Sequence, residues 1–217
     1  MSSPALRLHG YWRSTASYRV RIALGLKGVP FDQANLDLRD DAHKSASFRD
    51  LTAQGLVPVL EVGSAVLSQS LAIVEWLEER FPKPCLLPEA ALERAIVRAM
   101  AQVVACDIHP LNNLRVLAAL RSDFAATPGQ IDRWIGRWIG EGFAALEEMI
   151  ARHGGQFAFG DTPSLADCCL IPQVYSARRF GVDLDRFPRI RQIDEHAGRL
   201  APFAVAHPLR QPDADPA

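Results

Sequence analysis

The pattern of apolar and polar positions near the start of the chain predicts two strands with a helix between them. The segments ALRLHGY and VPFDQANLDL alternate between apolar and polar residues, as strands do. Between them, SYRVRIALGLKG has apolar residues at helical spacing and stops at Gly28. The order of strand, helix and strand is that of a parallel crossover unit, and a helical segment near residues 43–51 is expected to follow.

A hairpin and a second helix complete this first unit. The segment GLVPVLEVGSAVLSQS indicates two short strands that turn at Gly63 and Ser64. The spacing of an amphipathic helix then follows at Ser70, Ile73, Val74, Leu77 and Phe81. The first eighty residues therefore predict a small α/β unit.

A proline-rich linker separates this unit from a helical one. The linker FPKPCLLPE holds three of the 15 prolines and ends the preceding helix. Beyond it, helical patterns with little strand character cover residues 90–121, 130–152, 164–178 and 189–199. We therefore expect an α/β domain over residues 1–82 and an all-helical domain over residues 89–217.

The helical region contains a predicted capping box and a polar tail. Ser164 stands three residues before Asp167 at the start of a helical pattern, which predicts a capping box and a structural role for both side chains. The polar tail QPDADPA has a low-complexity composition and no role is assigned to it.

Charge and cysteine content limit the classes of partner. With 24 basic and 25 acidic residues the net charge is −1, which argues against a nucleic-acid or acidic-membrane partner. Residues 1–31 nevertheless hold five basic residues and no acidic one, which favours a small anionic ligand. The four cysteines lack metal-type spacing, so no metal is expected and thiols in a reducing compartment are. The first residues do not resemble a signal peptide and no apolar run has the length of a membrane span, so we expect a cytoplasmic protein.

The stretch WRSTASYRVRIAL combines helix-capping residues with cations. Ser14, Thr15 and Ser17 all have hydroxyls that suit the first turn of a helix. Together with Arg13, Arg19 and Arg21 they are interpreted as an electropositive cup for an anion.

Two further places in the first unit complement this cup. A cis bond before Pro58 would leave the backbone of Val57 open to an extended peptide, whereas a trans bond would make Pro58 an ordinary residue at a strand edge. Gln69 and Ser70 open the next helix, where Ser70 is either a plain cap or a second anion contact. Taken together, these features suit a small anionic peptide that carries a carboxylate and a thiol.

The run STASYRVRIAL resembles the characteristic segment of zeta-class glutathione transferases, whose best-known members are maleylacetoacetate isomerases. The segments LVP, QSLAIVEWLEE and DIHPLNN match that family in order, and GDTPSLADCCLIPQVYSARRF resembles its second-domain motif. The resemblance extends from about Leu6 to the end of the chain. It implies a thioredoxin-like N-terminal domain, a helical C-terminal domain, and glutathione as the cofactor.

The resemblance also implies roles for individual residues. Ser14 would bond the glutathione sulfur, Val57 would pair with the cysteinyl backbone, and Gln69 with Ser70 would take the γ-glutamyl end. The rest of the first turn would line the same pocket through Thr15, Ala16, Ser17, Tyr18 and Arg19. Further contacts are implied for His43, His109, Asn113, Leu114 and Arg115. Ala16 stands where the family usually has cysteine, which leaves Ser14 as the strongest partner for the thiolate.

The activity that the resemblance implies is the isomerisation of maleylacetoacetate to fumarylacetoacetate in aromatic amino-acid catabolism. The thiolate of glutathione would add to the cis double bond of a small dicarboxylic enone and leave again after rotation. Arg13 and Arg179 are the candidate catalytic cations, and the alternative for Arg179 is a residue that only faces solvent. The family also implies a homodimer. Maleylpyruvate isomerase, a general zeta-class transferase and a non-catalytic glutathione-transferase-like binding module remain alternatives.

Overall fold

The computed structural model describes residues 5–215, and the chain divides into two compact units. Among the described residues, one unit holds residues 5–86 together with residues 199–215, and the other holds residues 87–198. The elements of the first unit before the linker are β1 (Leu6–Gly10), α1 (Thr15–Lys27), β2 (Asp32–Asn35), α2 (Ala46–Leu51), β3 (Val59–Val62), β4 (Ala65–Ser68) and α3 (Ser70–Arg80). They follow the order predicted from the sequence.

The sheet of the first unit has the strand order β2-β1-β3-β4. β1 pairs with β2 in parallel through the crossover helix α1, and the β1–β3 and β3–β4 pairs are antiparallel. Leu8 lies opposite Leu60 in the register, and both side chains are fully buried. This mixed sheet with its helices is the thioredoxin-like architecture that the sequence predicted.

The end of α1 is held by a buried ion pair. The side chain of Lys27 is fully buried, and its Nζ donates to Glu78 Oε2 at 2.5 Å and to the Pro84 carbonyl at 2.7 Å. Glu78 Oε2 also accepts the Leu86 N–H at 2.8 Å. The pair therefore joins α1, α3 and the proline-rich segment within the first unit.

The second unit is helical, as expected, with one difference in its first part. Its helices are α4 (Ala91–Gln102), α5 (Leu114–Phe124), α6 (Pro128–His153), α7 (Leu165–Arg179) and α8 (Pro188–Ala197). The single helical pattern over residues 90–121 is divided by a π-helical turn at Val103–Ile108 and a 3₁₀ turn at Pro110–Asn112. Pro110 has no N–H to continue a helix, and the Asn113 side chain starts the next helix by accepting the Arg115 N–H at 3.2 Å.

The predicted capping box at the start of α7 is confirmed. The fully buried Asp167 carboxylate accepts the Ser164 N–H, the Ser164 hydroxyl and the Ala158 N–H, each at 2.8 Å. Burial raises the pKa of Asp167 to about 6, although the three hydrogen bonds act in the opposite direction.

The last part of the chain belongs to the first unit. A short helix, α9 (Ala201–Ala206), packs against α1, and a 3₁₀ turn at Pro208–Arg210 follows it. The Tyr18 hydroxyl on α1 donates to the Phe203 carbonyl at 3.4 Å. The sequence placed residues 89–217 in the second domain, whereas the structure groups residues 199–215 with the first unit. Within residues 5–215, no helix combines the length and the apolar character needed to cross a bilayer.

Candidate functional site

Ser14 caps the N-terminus of α1. Its Oγ accepts the Ser17 N–H at 3.2 Å, and its own N–H donates to the Tyr11 carbonyl at 3.0 Å. A hydroxyl has one proton and two acceptor positions, and no acceptor among the described residues takes the Ser14 proton. The half-buried Ser14 hydroxyl is therefore able to donate to an anion in front of the positive end of this helix.

The other side chains of the predicted run are more deeply placed. Ser17 is fully buried, and its Oγ lies 3.1 Å from the position that a Cβ on Gly10 would occupy. Tyr18 is buried with its hydroxyl on the Phe203 carbonyl, and Thr15 and Ala16 are buried as well. Ser14 thus differs from these neighbours because it is half-buried, whereas they are buried.

The N-termini of α1 and α3 are joined by a buried hydrogen bond. Arg19 Nη1 on α1 donates to the Oγ of Ser70 at 3.2 Å, and Ser70 is the first residue of α3. Gln69 before it has a φ of 70° and a ψ of 116°, a strained conformation for a residue other than glycine, and its side chain donates to Gln54 at 2.7 Å. Such backbone outliers concentrate at ligand sites.

The backbone of Val57 is open to a ligand. The Val57–Pro58 peptide bond is cis. Val57 is half-buried, and neither its N–H nor its C=O has a hydrogen-bond partner among residues 5–215. Its two backbone groups can therefore pair with an extended peptide.

His43 lies beside the loop that leads to Val57. Its carbonyl is 3.0 Å from the position of a Cβ on Gly55, where a φ of 59° also favours glycine. The half-buried ring has its Nδ1 buried without a partner in the described part of the chain. Burial is the main cause that lowers the pKa of His43, so the ring is neutral at pH 7 and able to form a neutral hydrogen bond.

One of the three arginines predicted for the electropositive cup has other partners in the structure. The half-buried Arg13 has its guanidinium 5.1 Å from the centre of the Trp12 ring. Arg21 was expected in the cup, but its buried guanidinium donates instead to the carbonyls of Trp12 and Ala206. Arg13 and Arg19 are the cations that remain at the N-terminus of α1.

The predicted contacts on the second unit occupy one connection between helices. His109 follows the π-helical turn, Asn113 caps α5, and Leu114 and Arg115 are the exposed first residues of that helix. The connection is held by Trp134 Nε1, which donates to the Leu111 carbonyl at 2.9 Å.

A close approach of this connection to α6 depends on a glycine. A Cβ on Gly142 of α6 would lie 2.3 Å from Ile108 Cδ1, at the end of the π-helical turn. Nothing in the helical periodicity of the sequence indicated either the turn or this approach.

Arg179 is the last residue of α7 and is exposed. Its guanidinium lies 4.5 Å from the centre of the Phe180 ring. Its neighbour Arg178 is also exposed and pairs with Asp194 at 2.5 Å. Burial raises the pKa of Asp194, while Arg178 lowers it.

Two families of sequences match the chain. The family described as glutathione S-transferase, N-terminal domain, matches residues 13–80, and the family described as glutathione S-transferase, C-terminal domain, matches residues 115–193. A maleylpyruvate isomerase of Ralstonia is 50% identical over 96% of this chain and 100% of its own length. A maleylacetoacetate isomerase of Pseudomonas aeruginosa is 47% identical over 96% of this chain and 98% of its own.

Solved structures are similar over nearly the whole chain. A holo structure of a maleylpyruvate isomerase, described as a bacterial zeta-class glutathione transferase, has a TM-score of 0.94 at 50% identity and covers 96% of this chain and 100% of its own. A maleylacetoacetate isomerase of Anaeromyxobacter dehalogenans with glutathione bound in its active site has a TM-score of 0.90 at 45% identity, covering 99% and 100%. A second structure of it, with dicarboxyethyl glutathione and citrate bound, has a TM-score of 0.89 at 45% identity and covers 100% of both chains.

Proposed function

The chain belongs to the glutathione transferase family, and from this premise we propose that it is a zeta-class, glutathione-dependent isomerase that converts maleylacetoacetate to fumarylacetoacetate in aromatic amino-acid catabolism. The observation that carries the proposal is the Ser14 hydroxyl, which caps α1 with its acceptor side and keeps its proton for a donor role. A hydroxyl donor at a helix N-terminus favours a thiolate over a thiol.

The first unit fits glutathione along its length. The open backbone groups of Val57 match the backbone of the central cysteine, and Gln69 with Ser70 at the start of α3 matches the charged γ-glutamyl end. Arg19 fixes Ser70 through their buried hydrogen bond, so the second helix terminus keeps its orientation when the ligand binds. The neutral, half-buried ring of His43 beside the Val57 loop offers a further polar contact.

Bound glutathione supplies a thiolate that adds to the cis double bond and is eliminated after rotation, so that it is regenerated. The task of this chain is to hold that sulfur ionised and to hold the substrate's carboxylates. Ser14 donates its hydroxyl proton toward the sulfur. Arg13, which directly precedes Ser14, supplies positive charge for a substrate carboxylate and for the enol oxygen. The family resemblance assigns the second carboxylate to Arg179, which is exposed at the end of α7.

Glutathione binding is also proposed to involve the connection before α5 in the second unit. His109 and Asn113 offer polar side chains there, and Leu114 and Arg115 are exposed beside them. Alanine variants of His109 and Arg115 should weaken glutathione binding in calorimetry without changing the melting temperature by more than a few degrees. Unchanged affinity in both variants would remove this connection from the site.

Maleylpyruvate is the alternative substrate, favoured by the 50% identity with the Ralstonia enzyme. The purified chain should be assayed with both substrates at saturating glutathione. A higher kcat/KM for maleylacetoacetate supports the proposed substrate, and a higher kcat/KM for maleylpyruvate replaces it. A chain that binds a glutathione column but isomerises neither substrate is a general transferase or a non-catalytic binding module.

We further propose a cytoplasmic homodimer. Val66 on the edge strand β4 of the first unit is 40% exposed, and Leu92 at the start of α4 in the second is 75% exposed. Apolar side chains of this size are stabilised when a second copy covers them. The exposed thiols of Cys85 and Cys106 support a reducing compartment. If the wild type sediments as a dimer and a Leu92→Glu variant as a monomer, an interface that includes Leu92 is supported. A monomeric wild type would contradict the homodimer.

A further inference from the structure

The polar tail contacts the segment that carries the proposed catalytic residues. Oδ2 of Asp213 accepts the backbone N–H of Trp12 at 2.9 Å, although the two residues are 201 positions apart. Trp12 is buried and stands directly before Arg13, two residues before Ser14. A tail without a function in the fold would leave such a carboxylate in water, where hydration favours it.

The other backbone group of Trp12 is tied to the same end of the chain. Nη2 of Arg21 donates to the Trp12 carbonyl at 3.0 Å, and Nε of Arg21 donates to the Ala206 carbonyl at the end of α9 at 3.1 Å. Both bonds come from one buried guanidinium. The N–H of Trp12 therefore contacts Asp213 directly, and its C=O accepts from a guanidinium that also contacts Ala206.

The tail is itself fixed, so that Asp213 is a defined partner. Nε2 of the buried Gln211 donates to the carbonyls of Val205 and His207, both at 2.9 Å, and Oε1 accepts from Gln33 on β2 at 3.0 Å. Asp213 is two residues further along. Its second oxygen, Oδ1, is buried without a partner among the described residues.

The ring of Trp12 lies against the guanidinium of Arg13. The Arg13 guanidinium rests 5.1 Å from the centre of the Trp12 ring, a distance typical of a cation–π contact. A shift of the Trp12 peptide would therefore move both the ring under Arg13 and the turn that presents the Ser14 hydroxyl.

We propose that Asp213 is a positioning residue, which holds the Trp12 peptide so that Arg13 and Ser14 keep the orientation required by the thiolate and the dicarboxylic substrate. This inference rests on the proposed function. It assigns a role to the tail, whose composition gave no sign of one.

The test compares three variants of the full chain. Asp213→Ala removes the acceptor, and a misplacement of about 1 Å in the turn should lower kcat/KM at saturating glutathione by about 10- to 100-fold. Asp213→Asn keeps an oxygen that accepts the Trp12 N–H and should stay within about threefold of the wild type. Asp215→Asn is the matched control: Asp215 is a tail carboxylate that pairs with the exposed Arg39 at 2.9 Å, and its variant should behave as the wild type.

A pH profile separates positioning from simple loss of folded protein. In Asp213→Ala the acid limb of the pH–rate profile should move to higher pH, because a displaced Ser14 and Arg13 stabilise the thiolate less. The ultraviolet absorbance of the thiolate in the glutathione complex should titrate with the same shift. Unfolding would appear in circular dichroism and would leave the thiolate titration of the remaining folded complex unchanged.

The outcomes for this inference and for the proposed function are distinct. If the wild type isomerises neither substrate, the proposed function fails irrespective of Asp213. If the wild type is active and Asp213→Ala keeps its rate and its acid limb, the positioning role is refuted. The same holds if Asp215→Asn loses as much activity as Asp213→Ala, or if Asp213→Asn loses as much as Asp213→Ala.

Discussion

Replacement of Ser14 by alanine tests the chemical role of the first turn. The change removes a donor to the thiolate, and a hydrogen bond to a charged group contributes about 1.5–3 kcal/mol, which is roughly ten- to a hundredfold in rate. It also removes the cap that accepts the Ser17 N–H, at a cost of about 0.5–2 kcal/mol in stability. The first effect appears in the rate and the second in the free energy of unfolding.

A glycine variant separates the two effects. Glycine is nearly as good an N-cap as serine, so Ser14→Gly should lose only a few tenths of a kcal/mol of stability. It lacks the hydroxyl and should be as slow as Ser14→Ala. Ser17→Ala is the control within the same turn, because the Ser17 hydroxyl is buried and has no partner among the described residues. Thr15→Ala should likewise remain far more active than Ser14→Ala.

The assay is a pH–rate profile for each variant at saturating glutathione. An unassisted thiol has a pKa of about 8.5, so the acid limb should move up to that region in Ser14→Ala and in Ser14→Gly. Part of the lost rate should return at higher pH, where glutathione ionises without help. Equal losses in the Ser14, Thr15 and Ser17 variants, or an unchanged profile for Ser14→Gly, would show that the hydroxyls only cap the helix.

Two further predictions concern stability and are measured by urea unfolding. Lys27→Met should lower the free energy of unfolding by about 3–5 kcal/mol, because it removes the cation that pairs with the buried Glu78 carboxylate. The double variant Lys27→Met/Glu78→Gln should recover part of this loss. No recovery would show that the loss does not come from the Glu78 charge. Asp167→Ala should cost about 2–6 kcal/mol because the N–H groups of Ala158 and Ser164 lose their acceptor. The folded-state pKa of Asp167, about 6, lies above its ordinary 3.8, so the native state binds more protons between these values. The stability of the wild type relative to Asp167→Asn should therefore rise as the pH falls from 7 to 5, and a fall would refute the raised pKa.

Local signals in the sequence predicted most of the elements. The alternating segments became β1 to β4, and the capping residues placed the starts of α1 and α7, because periodicity and capping act between near neighbours. The long pattern over residues 90–121 gave no sign of its π-helical turn. That turn depends on α6, where Gly142 leaves room for Ile108, and such a contact has no local signal.

In the site, too, local sequence predicted the features that depend on near neighbours and missed those that depend on distant residues. The start of α3 at Ser70 is where the pattern indicated, and the structure identifies Ser14 as the cap of α1 among the three hydroxyl residues that the sequence offered. The expectation that Arg21 belongs to the electropositive cup was wrong, because the spacing of residues along a helix does not show which carbonyls an arginine side chain contacts. Asp213 was missed because its partner Trp12 is 201 residues away. Long-range hydrogen bonds of this kind require the fold.

The fate of glutathione during turnover tests the central claim most directly. Isomerisation of maleylacetoacetate would be followed together with total glutathione, with and without added thiol. We expect no turnover in thiol-free buffer. With glutathione, many product molecules should form per glutathione and the glutathione should be recovered unchanged, because addition of the sulfur is reversed by elimination. Turnover without thiol, or the loss of one glutathione for each product formed, would contradict it.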